Sequence, residues 1–503
     1  MSTSRRTVLR TLAAAGAGGL AGAGLPRAAR AAWGEVPKQH AGSMLPAELQ
    51  VRRVLEVSMF GGMNAFDAFH CVPAWGEHDG AYLHAFPVAE RLAACGGPSE
   101  VTRPFAEGPD GLVHLGPWTW PLWSRPDILA RTRVVVTRHD QQPHETAIPL
   151  TFTGHRVGRP ALAGAGAAVQ RKFSEDPRTA RVVPHAAVVQ PGDLVRLDNY
   201  RAALAVGLHP ASARPLEVIL RAFNPIGSDK PGPTLDLHTL LARPATADRR
   251  AAHDALLADA RARFAADLDH QAPAAWVDLV AAESAREHSD ALAELLPKSL
   301  FHPDETAVCG ESLNSMSRQG ARVAAHLLTD PHDPLRYVQW IDGALVAAPD
   351  GGHDTHRDHL EITAINVPHV LACLADIINN ADADEHDPRK LDLDDTLVVL
   401  STEFGRSPTR QAPLHTGLNH WPHAYATVLI GGPVTAPAVV GRIDPTSGLA
   451  TDFAGPAELR AAVALALGIY PFDRGGLDLH DMTAGTDPDA ALRDLTTRIL
   501  GAP

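Results

Sequence analysis

Thr396-Leu397-Val398-Val399-Leu400-Ser401-Thr402-Glu403-Phe404-Gly405-Arg406-Ser407-Pro408 is the stretch whose reading decides the fold. Its first six residues form a near-continuous apolar run, as expected of a strand covered on both faces. Glu403 then emerges where that strand ends. Gly405 permits a turn, and Arg406 follows with the planar fork that grips an oxyanion. Tyr425–Ile430 (YATVLI) repeats the apolar pattern, and Val51–Met59 (VRRVLEVSM) and Arg133–Thr137 (RVVVT) are further strand-like runs. Helical patterns lie between them at Ser317–Leu328, Ile365–Asn379 and Ala457–Leu467. Ala247–Leu300 predicts two or three helices with a break near Gln271–Pro273. Strands alternating with helices predict a mostly parallel sheet covered by helices. Trp75–Trp123, rich in Pro, Gly and Trp, reads as a long irregular excursion. The length of residues 32–503 suggests about three domains, while one large α/β domain with insertions at 75–123 and 247–300 fits it too.

In open α/β sheets, sites form beyond the carboxyl ends of the strands. After Val51–Met59 come Phe60-Gly61-Gly62-Met63-Asn64-Ala65-Phe66-Asp67. The two glycines allow a tight turn or a close backbone approach, and Asn64 and Asp67 offer oxygens. The alternative is an ordinary turn with Asp67 capping a helix. After Arg133–Thr137, the stretch Arg138–Ala147 holds His139, Asp140, His144 and Glu145, a set that binds metal or forms a solvated polar loop. Thr153–Pro160 is a second Gly/Arg loop able to meet an anion. The densest cluster is Asp350-Gly351-Gly352-His353-Asp354-Thr355-His356-Arg357-Asp358-His359, with three histidines and three aspartates in ten residues. Imidazole and carboxylate together suit zinc, manganese or iron, and the spacing of Asp354 and His356 lets both reach one ion. A polar loop capping the next helix is the alternative. Glu403 and Arg406 form either part of a site or a buried ion pair that fixes their own loop. His420 and His423, just before the last strand, complete a site or remain polar loop residues. The order of these groups along the chain is more telling than any one of them.

The amino terminus has its own pattern. Ser4-Arg5-Arg6-Thr7-Val8-Leu9-Arg10 is followed by a mildly apolar Ala/Gly stretch from Leu12 to Leu25 and by Ala29-Arg30-Ala31. This reads as a twin-arginine export signal over residues 1–31, cleaved after translocation. The expected location is the periplasm or the extracellular space, with the twin-arginine translocase as a transient partner. The apolar stretch is too short and too Gly-rich for a stable membrane span, and no later segment reaches about 18 apolar residues. Losing the five arginines of that segment takes the formal charge from −13 to −18, which argues against nucleic acid as a partner. An apolar content of 45% with 20% charged residues excludes disorder and allows a large core. Four cysteines, Cys71, Cys95, Cys309 and Cys373, permit three pairings. Cys373 lies in an apolar helix-like run and reads as a buried thiol. No GxGxxG loop, CxxCH haem site or blue-copper set supports redox chemistry.

The motifs GGHDTH, TLVVLSTEFGRSP and GLNHWPHAYATVLIGG, in that order, resemble the bacterial domain of unknown function 1501 family. PHETA followed by GRPAL, and the early GGMNAFD, resemble the amino-terminal half of the same family. That family is similar to the alkaline phosphatase and sulfatase superfamily. The resemblance implies an alkaline-phosphatase-like α/β fold, a mixed, mainly parallel sheet sandwiched between helices, and a bimetal site that hydrolyses phosphate or sulfate esters. It places Asp67 or Asn64 near the superfamily's first-strand metal aspartate and matches Asp354 and His356 to a DTH motif. Glu403 stands where the superfamily has an aspartate, and His420 matches a late histidine. The chain departs from the pattern at His353, which replaces a usual Trp, and at Phe404, which replaces a histidine ligand. The Ser or Thr nucleophile has no clear counterpart, Thr137 and Thr153 being the nearest candidates. The expected metal ligands are thus Asp67, Asp354, His356, Glu403 and His420, with Asn64, His144 and His423 as further candidates. The ion is divalent: zinc, manganese, iron or calcium. Arg406 and Glu403 are the expected catalytic residues. The expected activity is metal-dependent hydrolysis of a small anionic ester or an envelope glycan. The alternative is a non-catalytic envelope binding protein on a degenerate phosphatase/sulfatase scaffold.

Overall fold

Eight strands build one sheet: β1 (Arg53–Met59), β2 (Thr132–Thr137), β3 (His185–Val189), β4 (Leu216–Ile219), β5 (Tyr337–Asp342), β6 (Thr396–Ser401), β7 (Tyr425–Gly431) and β8 (Ala438–Val440). Their order is β8-β2-β7-β6-β1-β5-β3-β4. Every neighbouring pair is parallel except the two made by β7. The protein is therefore an α/β protein with a mixed, mostly parallel sheet. The computed structural model describes residues 36–75, 87–109, 111–156, 164–175, 184–190, 216–220, 295–301, 304–309, 311–332, 334–346, 348, 351–383, 385–411, 415–472, 476–483 and 487–502, with scattered positions between 251 and 263. The segment read as an export signal lies outside the described residues, as does most of the helical reading of 247–300.

The helices are α1 (Val88–Ala94), α2 (His144–Thr153), α3 (Ala165–Glu175), α4 (Met316–Thr329), α5 (His359–Asp376) and α6 (Pro456–Ala466). Alternate residues of the central strands feed two cores. Leu55, Val57, Val398, Leu400 and Trp340 join α4 and α5 on one face. Val54, Leu397, Val399 and Leu429 join α6 on the other. Both faces being covered is why β6 reads as an unbroken apolar run. Among the described residues no helix is long and apolar enough to cross a membrane.

Two expectations change. The stretch 75–123 is not irregular throughout: it carries α1, a hairpin of Arg103–Gly108 with Gly111–Leu115, and a 3-10 turn at Pro117–Leu122. Prolines at 117 and 121 interrupt any periodic signal, while Trp118 is buried against α5. Helix α5 starts six residues before Ile365, because His359, Glu361 and Thr363 hide its first turns among polar residues. None of the three two-disulfide pairings forms: the protein makes a single bridge, Cys95–Cys309, joining the end of α1 to the Glu305–Asn314 hairpin. Cys71 and Cys373 are buried free thiols.

A charged pair crosses the α6 core. Glu56, in the middle of β1, is fully buried and grips Arg460 of α6 through two bonds, at 2.5 and 2.8 Å. Ser401 Oγ donates to the same carboxylate at 2.8 Å, and the Tyr337 hydroxyl donates to it as well. Burial alone would raise the Glu56 pKa, but the Arg460 charge and these bonds hold it below the ordinary carboxylate value. Such a pair adds little over an apolar core when intact, whereas losing one partner strands a buried charge. Arg460→Met is expected to cost about 3–5 kcal/mol in urea unfolding at neutral pH. The sign with pH follows from the lowered folded pKa. The stabilisation is full above the unfolded value of about 4.3 and is lost as pH falls through the lower folded value. The gap between native and variant should therefore narrow on acidification.

Candidate metal centre

Strands β1, β2, β5 and β6 run in one direction, so their carboxyl ends share one edge of the sheet. Strand β7 runs the other way, which brings the residues before it to that same edge. Five segments separated in sequence meet there.

From β6 come Glu403, Phe404 and Arg406, all fully buried. Glu403 Oε1 accepts the Gly61 N–H at 2.8 Å and lies 2.9 Å from His144 Nδ1. From the turn after β2, His144 opens α2 and bridges two carboxylates. Its Nε2 lies 3.0 Å from Asp354 Oδ2. Burial pushes the His144 pKa down, but the hydrogen bonds and charges of Asp354 and Glu403 outweigh it and hold the imidazole up at about 9. From the loop after β5, Asp354 accepts Arg406 on Oδ1 and His144 on Oδ2. Burial opposes its ionisation, yet the hydrogen bonds from His144 and His420 and the Arg406 charge hold it far below the usual carboxylate range. His356 Nε2 and His420 Nε2 each stand 3.4 Å from Asp354 Oδ1 and 2.8 Å from one another.

The glycine pair makes the crowding possible. Gly61 has φ +110°, and a Cβ there would overlap the backbone nitrogen of Asp354. Gly62 has φ +103°, and its Cβ would stand 3.0 Å from Arg406 Nε and 3.1 Å from the Phe404 ring. Phe404 stacks on His420, with centroids 4.1 Å apart.

The ligating atoms of His144, Asp354 and His420 all lie within 4.8 Å of one another, and the three can hold a metal ion. The donors fit one. His420 Nδ1 sits 3.0 Å from the Gln142 carbonyl, so an ion on Nε2 would leave the ring proton on Nδ1, where that carbonyl accepts it. Tetrahedral ligands on zinc stand about 3.3 Å apart, close to the 3.4 Å from Asp354 Oδ1 to His356 and to His420, while the two Nε2 atoms, at 2.8 Å, would have to part slightly.

The other expected residues fall elsewhere. Asp67 is held by His359 Nε2 at 2.9 Å rather than by the cluster, because the turn after Gly62 carries it toward α5. Asn64 Oδ1 accepts the Phe66 N–H and closes its own turn. His423 packs edge-on against Trp421. Glu403 reaches the centre only through His144. The weighed Glu403–Arg406 pair is not what holds the loop: Arg406 takes Asp354, the Gly61 carbonyl and the Leu418 carbonyl. Thr137 Oγ1 bonds within the sheet to Val135 and Thr427, and Thr153 Oγ1 turns back to the Pro149 carbonyl, so neither hydroxyl is spent on the cluster. His139, read as part of a metal-binding set or a solvated polar loop, lies instead 2.6 Å from the Glu403 carbonyl through Nε2 and steadies the β6 turn.

The fold and this cluster define an α/β protein with a histidine/aspartate centre at the carboxyl edge of its sheet. The chain belongs to the family described as "Protein of unknown function (DUF1501)", whose model matches residues 51–473. No curated protein and no solved structure matches it.

Gly61→Ala is expected to destabilise the protein by at least roughly 1–3 kcal/mol from backbone strain alone. Gly42→Ala, where a Cβ meets nothing within 4 Å, should be nearly neutral in the same unfolding experiment.

Proposed function

We propose that the protein is a metal-dependent hydrolase of the alkaline phosphatase and sulfatase type, acting on a small anionic phosphate or sulfate ester, or on an anionic envelope glycan. The observation that carries this reading is the convergence of His144, Asp354 and His420 within 4.8 Å at the sheet edge. Two imidazoles and a carboxylate favour zinc or manganese over calcium, which takes oxygen ligands. A bound ion would supply Lewis-acid polarisation of an ester oxygen and activation of water. The chain's own residues do the rest. Arg406 is fully buried, so its work is to keep Asp354 charged and aimed, not to meet substrate. His356, with a side chain 30% exposed, and His420, at 18%, are the groups of the cluster that face solvent. Substrate is expected to approach from their side. An export signal at Arg5-Arg6 would put this activity outside the cytoplasm, and the Cys95–Cys309 disulfide, suited to an oxidising compartment, supports that reading.

A second reading, a binding protein without turnover, has its own support. Phe404 fills the place beside His420 with an apolar ring, and the Thr137 and Thr153 hydroxyls are committed elsewhere. The two readings separate on elemental analysis and an ester panel. Stoichiometric zinc or manganese is expected in the native protein. Asp354→Asn and His420→Ala should lose that metal and lower phosphate or sulfate monoester turnover by at least roughly 100-fold, since even an outer partner of a metal ligand is worth about 10–100-fold. A folded protein that binds no metal and turns over no ester would sink the hydrolase reading.

A further inference from the structure

We infer that Asp67 and His359 form a buried relay that positions the metal-ligand segment Asp354–His356 through the hydroxyl of Thr355. The inference rests on the metal reading above, and it gives Asp67 an outer role in place of a ligand's. Asp67, His359 and Thr355 are all at least nine-tenths buried. Asp67 Oδ2 accepts from His359 Nε2 at 2.9 Å. The ring's proton is thereby fixed on Nε2, and Nδ1 is left as an acceptor. Thr355 Oγ1 stands 2.7 Å from that Nδ1 and donates its proton to it.

Anchoring the hydroxyl fixes χ1 of residue 355 in one rotamer and restrains the backbone on either side. That backbone carries Asp354 on one side of Thr355 and His356 on the other. It is held further by the Thr355 carbonyl, which accepts the Leu418 N–H at 3.0 Å. A carboxylate buried this deeply is costly to keep, and Asp67 Oδ1 makes no hydrogen bond among the described residues. Packing alone would be served better by an apolar residue. An anionic partner is what selects one tautomer of His359 and thus one orientation of the Thr355 hydroxyl. Asp67, His359 and Thr355 are positioning residues, each acting through its neighbour on the two ligands.

The test is zinc affinity of the full chain, measured by competition with a chromophoric chelator. Asp67→Asn removes the anion and admits the opposite imidazole tautomer, while Thr355→Val removes the hydroxyl and keeps the shape. Each is expected to weaken zinc binding by about 10–100-fold, the usual effect of losing an outer partner. The double variant should be no weaker than the poorer single, because both break one relay. Thr355→Ser should keep the native affinity. Nitrogen-15 NMR should show His359 protonated at Nε2 in the native chain and the tautomer disturbed in Asp67→Asn. Native affinity in both Asp67→Asn and Thr355→Val would overturn this inference alone, as would equal losses in Thr355→Ser and Thr355→Val. A folded native chain that binds no zinc would overturn the metal reading and this inference with it.

Discussion

The carboxylate of Asp354 is the constraint on which the edge of the sheet depends. Stripped of water, an isolated carboxylate would cost several kcal/mol and would take up a proton instead. Here Arg406 holds one oxygen and His144 the other, with His356 and His420 close by. Each of these groups comes from a different segment, so satisfying one charge ties together the turns after β2, β5 and β6 and the turn before β7. Removing any one partner leaves the others facing an uncompensated charge. The glycine pair after β1 exists for the same reason: only a chain without Cβ atoms can pass between Asp354, Phe404 and Arg406.

The direction of one strand decides which residues take part. Because β7 is antiparallel to β6 and β2, the turn that precedes it lies at the carboxyl edge of its neighbours. His420 therefore belongs to the same site as Glu403, although one follows a strand and the other leads into one. The charged network at the other level of the sheet is separate in composition. Glu56, Arg460, Tyr337 and Ser401 sit within the strands and hold α6 against them, so the frame beneath the metal centre is fixed without drawing on its residues.

The fold was legible where both faces of a strand are covered. TLVVLS has the same bounds in the sequence reading and in the structure, since burial on two sides leaves no polar position to blur its ends. Asp354, His356, Glu403, Arg406 and His420 were legible as polar groups at strand ends. Their partnerships were not. Nothing in the spacing of Glu403 and Arg406 says that the arginine reaches across to Asp354, because that contact spans 52 residues and depends on the packing of two loops. His144 read as a metal candidate or a residue of a polar loop, not as the start of a helix. The helix it opens is short, holds Pro149, and is buried almost all round, so it shows no amphipathic period to announce itself. Asp67 looked like a ligand because it follows a strand and two glycines, but a side chain's direction after a turn is set by tertiary contacts, here with His359.

Charge balance links the architecture to the proposed substrate. Without a metal, two carboxylates, Asp354 and Glu403, face two cations, Arg406 and the imidazolium of His144, whose raised pKa of about 9 keeps it protonated at neutral pH. A dication that takes the His144 Nε2 lone pair must displace its proton. The centre then carries one positive charge more than before, in a setting where charges are weakly screened. An anionic ester restores neutrality, and a neutral one does not. Phe404 strengthens the preference by keeping water from one side of His420. It narrows the approach to the face where His356 is exposed, and it raises the worth of each charge that the site presents.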